Sequence, residues 1–380
     1  MPNPSKILDI ALEKAENNLN EAIIDDMGVV DRIEYICSKS SNRSGVRVLL
    51  ASSLAKIDSP DVDIRKPYTE IGDNDVYSGR VYDERFVSEF IAKNDLPCNT
   101  TTAWLTPAWR TNKNTLSLDT ELIGSPRKMY RDVIFLLNKV HLGEISAEDL
   151  LTETIRHLVL VRNRRQQELK NLLKELRDTS GYYEDVTPLS TEDIVTLIAQ
   201  HLESKGASRL PVLVVAAAYK TAEEYLGERV LPLEAHNAAD KQTGALGDLE
   251  ITISDANGVV TSYEMKAKRV TISDIDLALN KIRESGEFVN NYIFITTEII
   301  DDEVFDYAKS LYEKTGGIEI AVLDCINFIR HFLHLFHRMR MEYLDSYQDL
   351  LLEEPDSSVS RSLKQVFLHL RINAESNYQQ

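Results

Sequence analysis

Two short apolar runs near the C-terminal side, "NYIFITT" (291–297) and "IEIAVLD" (318–324), flank a helix-period segment, "DDEVFDYAKSLYEKTG". Strand-length runs of this kind must be covered on their faces, and the segments around them are helical in period. Upstream lie a second helical stretch, "TISDIDLALNKIRESG", and the segment "GDLEITISDANGVVTSYEMKAK" (247–268), which reads as two strands joined by a turn at Asn257-Gly258. The order helix, hairpin, helix, strand, helix, strand predicts an α/β (mixed α+β) chain with a mixed central sheet flanked by helices.

The chain on either side of this core is expected to be helical. "SKILDIALEKAENNLNEAI" has apolar residues at helical spacing, and helices return over 127–177. Between them, 59–125 is interrupted by Pro60, Pro67, Pro97 and Pro107, with Gly72, Gly79 and Gly124, and is expected to be irregular. "TSGYYEDVTPLSTED" (179–193) has linker composition and ends in a Ser190/Thr191 helix cap. A domain boundary is expected there. The predicted organisation is a mainly helical, loop-rich region at 1–180, a core at 190–325 and C-terminal helices at 326–380. "PVLVVAAAYKTAEEYLG" predicts a buried helix opened by Pro211 and stopped by Gly227.

Three scattered cysteines, Cys37, Cys98 and Cys325, do not form a disulfide framework and fit a reducing, cytoplasmic setting. The N-terminal stretch has no apolar core of the signal-peptide kind, and no run is long enough to span a membrane. The net charge of −18 argues against a partner rich in phosphate, but binding follows the local patch rather than the sum. Two stretches run against the average. Residues 155–177 hold seven basic residues against Glu168 and Glu175, and residues 39–66 hold six against three acids. A solvated helix face is the more common meaning of such a stretch.

The hairpin carries the chemistry. Side chains alternate along a strand, so Leu249, Ile251 and Ile253 are expected to enter the core while Asp248 and Glu250 point away. On the second strand Glu264, Lys266 and Lys268 share one face. A turn centred on Ala256 sets Asp248 opposite Glu264, with β-carbons about 5 Å apart. Two carboxylates at that distance repel unless a cation or a proton lies between them. A hard divalent cation such as Mg2+ takes oxygen ligands and suits the pair, and a lysine two residues on can offset charge developing on a phosphate. The run "TGALGD" lets the backbone approach closely ahead of Asp248. The plain alternative is an amphipathic hairpin with a solvated polar face, because E-x-K by itself also occurs at Glu168-Leu169-Lys170 and Glu203-Ser204-Lys205.

Asp248, a turn, and then Glu264-Met265-Lys266 resembles the PD-(D/E)xK nuclease motif, with Leu246-Gly247 where the proline position would stand. The longer string "AHNAADKQTGALGDLEI…SYEMKAKRVT" is similar to type II restriction endonucleases, in particular the SacI-like family, and "YSGRVYDERFV" resembles the N-terminal half of the same enzymes. The resemblance implies a restriction-endonuclease-like core in which Asp248, Glu264 and Lys266 are catalytic. Asp248, Glu264 and the Met265 carbonyl would bind Mg2+. An additional acid is expected from Glu223 on the preceding helix or from Glu250. Glu223, continuing the helical spacing of Val212, Ala216 and Tyr219, is expected to face the sheet more than Glu224 does.

The implied activity is Mg2+-dependent hydrolysis of DNA phosphodiester bonds at a specific double-stranded sequence. A twofold homodimer follows from cutting both strands, and a cognate DNA methyltransferase would be a genetic partner. The alternatives are a structure-specific or repair nuclease on the same core and a non-catalytic DNA-binding protein. Sequence reading needs Arg, Lys, Asn or Gln on base edges. The candidates for DNA contact are Arg43, Arg47, Arg65, Lys66, Arg80, Arg85, Arg110 and Lys113, with His236 and Lys268 near the motif. For each of the residues from Arg43 to Lys113 taken singly, ordinary surface charge or a structural ion pair is the better reading. In "HFLHLFH", His331, His334 and His337 have ligand-like spacing but lack an interleaved acid or cysteine, so a packed amphipathic helix is the better reading.

Overall fold

A computed structural model describes residues 3–39, 43–99, 101–180, 187–233, 246–253, 259–286 and 289–377. They form two compact units, Met1–Leu169 and Lys170–Gln380. The division falls inside one long helix.

The first unit is helical: α1 (Pro4–Asn17), α2 (Met27–Ser38), α3 (Ser44–Asp58), α4 (Gly79–Tyr82), α5 (Ser88–Lys93), α6 (Pro107–Arg110), α7 (Arg127–His141) and the start of α8 (Ala147–Ser180). Helix α3 is almost wholly buried, which is why its sequence, "SGVRVLLASSLAKID", shows no polar stripe. The stretch 59–125 is as irregular as its prolines and glycines predict, with only short helical turns. It is nonetheless packed. Trp104 and Trp109 are buried in the core, and a β-carbon at Gly79 would lie 2.3 Å from the Trp104 ring. Arg47 is 1% exposed; its Nε donates to Asp83 at 2.8 Å, and its other nitrogens meet the Asn99 carbonyl and Ser88. Burial pushes the Asp83 carboxyl up, against the opposing pull of Arg47 and the Thr102 and Ala103 hydrogen bonds.

The second unit is α/β. After α8 come α9 (Thr191–Leu202), α10 (Leu210–Leu226), β1 (Glu228–Val230), β2 (Leu249–Ile253) and β3 (Val259–Lys266). They are followed by α11 (Ile272–Ser285), β4 (Asn291–Thr296), α12 (Asp302–Lys309), α13 (Leu311–Lys314) and β5 (Glu319–Asp324), then α14 (Cys325–Leu335), α15 (Arg340–Glu353) and α16 (Arg361–Asn377). Among the described residues the sheet has five strands in the order β1-β2-β3-β4-β5. The first three are antiparallel and the last three parallel, so β3 is where the sheet changes direction. Helices cover both faces. Leu246, Tyr292, Phe294, Ile320 and Val322 pack with Ile275, Leu279 and Ile282 of α11 and Val304 of α12. On the opposite face Tyr263 meets Tyr219 of α10, hydroxyl to hydroxyl at 2.9 Å, and Phe328 of α14.

The mixed sheet flanked by helices is as predicted. Several details differ. β1 was not foreseen: three residues are too few to show alternation. Helix α11 is capped by Thr271, which closes a reciprocal capping box with Asp274. Ile253 is 46% exposed rather than in the core, because a bulge between Ile251 and Thr252 turns the end of β2 over. The segment 326–380 does not stand apart, since α14, α15 and α16 pack on α9 and α10. In α14, Ile329, Phe332 and Leu333 are buried while His331 and His334 are exposed, as an amphipathic helix requires, and His337 lies exposed in the turn that follows.

His201 of α9 is fully buried between α15 and α16. Its Nε2 lies 3.0 Å from the Leu363 carbonyl, which can only accept, so that nitrogen carries the proton and Nδ1 accepts from Tyr347 at 2.9 Å. Burial lowers its pKa to about 4, against an upward pull from the Leu363 hydrogen bond. The unfolded chain therefore takes up a proton near pH 6.5 that the folded one refuses until about pH 4. Stability should be full above 6.5 and fall by about 3 kcal/mol as pH drops toward 4. Urea unfolding across that range should show a shallower loss in His201→Gln than in the parent protein.

Candidate active site

The site is built from the start of β2 and the end of β3, which antiparallel pairing brings to the same end of the sheet. Leu249 pairs with Tyr263, Glu250 with Ser262 and Ile251 with Thr261, the register that a turn centred on Ala256 demands. The turn residues 254–258 lie outside the described residues. Asp248 stands one step before β2. Its backbone N–H donates to the Tyr263 carbonyl at 2.8 Å, and its Oδ2 accepts from the backbone N–H of Met265 at 2.7 Å. Asp248 is thus held to the peptide between Glu264 and Lys266. The contact is possible because the preceding residue is glycine: a β-carbon at Gly247 would lie 2.4 Å from the Tyr263 carbonyl oxygen and 2.5 Å from Ser262 Oγ.

β3 is covered on both faces in its middle, with Thr261, Ser262 and Tyr263 all buried, so its polar face is not simply solvated. Its last three residues, Glu264 to Lys266, are half-buried. Glu264 and Lys266 are about a quarter exposed, and Lys266 Nζ donates to Glu264 Oε1 at 3.0 Å. On its other side Nζ lies 3.6 Å from Asp274 Oδ1. The other oxygen of Asp274 is taken by the backbone and hydroxyl of Thr271 in the α11 cap. Partial burial opposes the charge on Lys266. The Glu264 hydrogen bond and the negative fields of Glu264, Asp274 and Asp248 outweigh it and raise its pKa. In this state the lysine is a fixed ammonium, suited to meeting negative charge rather than to taking a proton.

Glu250, predicted as an additional acid, is engaged elsewhere, because its Oε1 accepts the Leu246 N–H at 2.7 Å. Glu223 and Glu224 are both exposed on the last turn of α10. Among the described residues no group of three or more His, Cys, Asp or Glu side chains gathers at metal-holding distance, so neither acid joins Asp248 and Glu264. The expectation that Glu223 faces the sheet is not met: the buried residues of α10 end at Ala222, and Glu223 to Leu226 are exposed.

The basic residues proposed for DNA are differently placed. Arg47 is a core ion pair and cannot reach a ligand without unfolding its surroundings. Arg43 is buried at 8% exposure with its Nε on the Lys39 carbonyl. Arg65 pairs with Asp63, Lys66 with Asp73 and Asp75, Arg80 with Glu84 and Lys113 with Glu70. Arg85, Arg110 and Lys268 are exposed. His236 lies outside the described residues. Tyr292 and Asp274, which touch Glu264 and Lys266, were not predicted. Tyr292 hides in an apolar strand run, and Asp274 was visible only as a helix-start acid.

A scan of family models and a search of curated proteins find no match for this chain. No helix among the described residues is long and apolar enough to cross a membrane.

Replacing Gly247 by alanine forces its β-carbon into the Tyr263 carbonyl. Gly247→Ala should lower the thermal midpoint of the protein by several degrees, while Gly227→Ala, at an open helix cap, should cost less. Calorimetric unfolding of the two variants side by side checks this.

Proposed function

We propose that this chain is a Mg2+-dependent endonuclease with a PD-(D/E)xK core, hydrolysing phosphodiester bonds of double-stranded DNA at a specific sequence. One observation carries the reading: Asp248 accepts the backbone N–H of Met265, the residue between Glu264 and Lys266, so two carboxylates and an ammonium converge at the end of β3. The succession of α10, the β2–β3 hairpin, α11 and β4 supports it, since it follows the helix, hairpin, helix, strand order expected around the motif.

The donor set suits a magnesium ion that keeps most of its water and takes one or two carboxylates. Asp248 would offer the oxygen not engaged by Met265, Glu264 would offer a carboxylate oxygen, and the Met265 carbonyl is the third protein ligand implied. When bound, the ion supplies Lewis-acid polarisation of the scissile phosphate and an acidified water. Lys266 lies where it can stabilise the negative charge that builds on the phosphate during in-line attack. A homodimer would present two such sites to the two strands, with a DNA methyltransferase protecting the host sites. The cytoplasm is the compartment this activity implies.

A second reading has an observation in its favour. Arg65, Lys66, Arg80 and Lys113 each face an acid, and Arg47 is buried, so most of the residues expected to read bases are engaged within the chain. That favours a structure-specific or repair nuclease on the same core.

Digestion of unmethylated phage DNA separates the readings. Discrete bands that need Mg2+ and fall at least about 100-fold in Lys266→Ala and Asp248→Ala would establish the sequence-specific enzyme. Cutting confined to branched or damaged substrates, with the same losses, would establish the second reading. Absence of Mg2+-dependent cutting on every substrate would refute both.

A further inference from the structure

Tyr292 lies on β4, a strand that supplies none of the predicted site residues. It is 1% exposed, and its ring packs on Phe294 with centroids 5.3 Å apart. A buried phenol has to place its proton on an acceptor. Among the described residues its hydroxyl meets the Leu246 carbonyl at 2.9 Å and Glu264 Oε2 at 3.2 Å. The first belongs to the segment that leads into Asp248, and the second is the carboxylate that faces it across the strands. Leu246 is also held by its N–H, on Glu250.

We propose that Tyr292 is a positioning residue of this site: its hydroxyl ties the Leu246–Asp248 segment to Glu264 and fixes the spacing of the two carboxylates for a divalent cation. This rests on the metal-site reading given above. The hydroxyl has one proton to share between Leu246 and Glu264. The shorter contact makes Leu246 the principal acceptor, and the hydroxyl dipole still limits where the Glu264 carboxylate can settle. With a cation on Glu264 the hydroxyl keeps donating to the Leu246 carbonyl, and the segment remains anchored. Packing alone would need only the ring, which phenylalanine supplies. The hydroxyl is the part that touches both halves of the site.

The test is Mn2+ titration calorimetry on the full chain, parent protein beside Tyr292→Phe, with amide hydrogen exchange at Gly247 and Asp248 in the metal-free proteins. Removing a partner that orients a ligand costs about 10- to 100-fold in metal affinity. The expected result is at least about tenfold weaker Mn2+ binding and faster exchange at those two amides, in a variant that still unfolds cooperatively. Equal Mn2+ affinity in the two proteins would overturn the positioning role and leave the metal site standing. No Mn2+ binding by the parent protein would overturn the metal site, and this proposal with it.

Discussion

The hydrogen bond from Met265 N–H to the Asp248 carboxylate is the contact on which the site depends. It fixes an exposed acid to the backbone of a strand that is buried a few residues earlier. Gly247 permits the approach, the Leu246 side chain anchors in the α11 side of the core, and Glu250 and Tyr292 hold the two ends of the Leu246 residue. A loop acid is otherwise free to follow its own rotamers in water. Here its place is set by the packing of a five-stranded sheet.

That arrangement also explains how the charges are kept together. Lys266 stands between Glu264 and Asp274, and Asp274 is itself held by the capping box of α11. The helix start, the strand end and the hairpin start are therefore coupled through short polar contacts at one end of the sheet. The ammonium of Lys266 thus lies between the Glu264 and Asp274 carboxylates.

Much of this was legible in the sequence because it depends on local period and pairing. The apolar run of β4, the Pro211 and Gly227 limits of α10, and the pairing of Leu249 with Tyr263 all follow from spacing. What was not legible depends on tertiary contact. The bulge that exposes Ile253 leaves no mark in an alternating pattern. β1 has too few residues to show a period. Tyr292 looks like any aromatic residue in a buried strand until its hydroxyl is seen beside Glu264. Arg47 looks like a surface arginine until Asp83, 36 residues away, is found against it. Glu250 carries the right chemistry for a ligand, but Leu246 takes its carboxylate.

The central claim is that Asp248 and Glu264 together hold a divalent cation. Crystals soaked in Mn2+ and measured at a wavelength where manganese scatters anomalously test it most directly. The account predicts an anomalous peak bound by both carboxylates at the end of β3, about 2 Å from each ligating oxygen. A peak elsewhere on the chain, or none in crystals that diffract well, would contradict it.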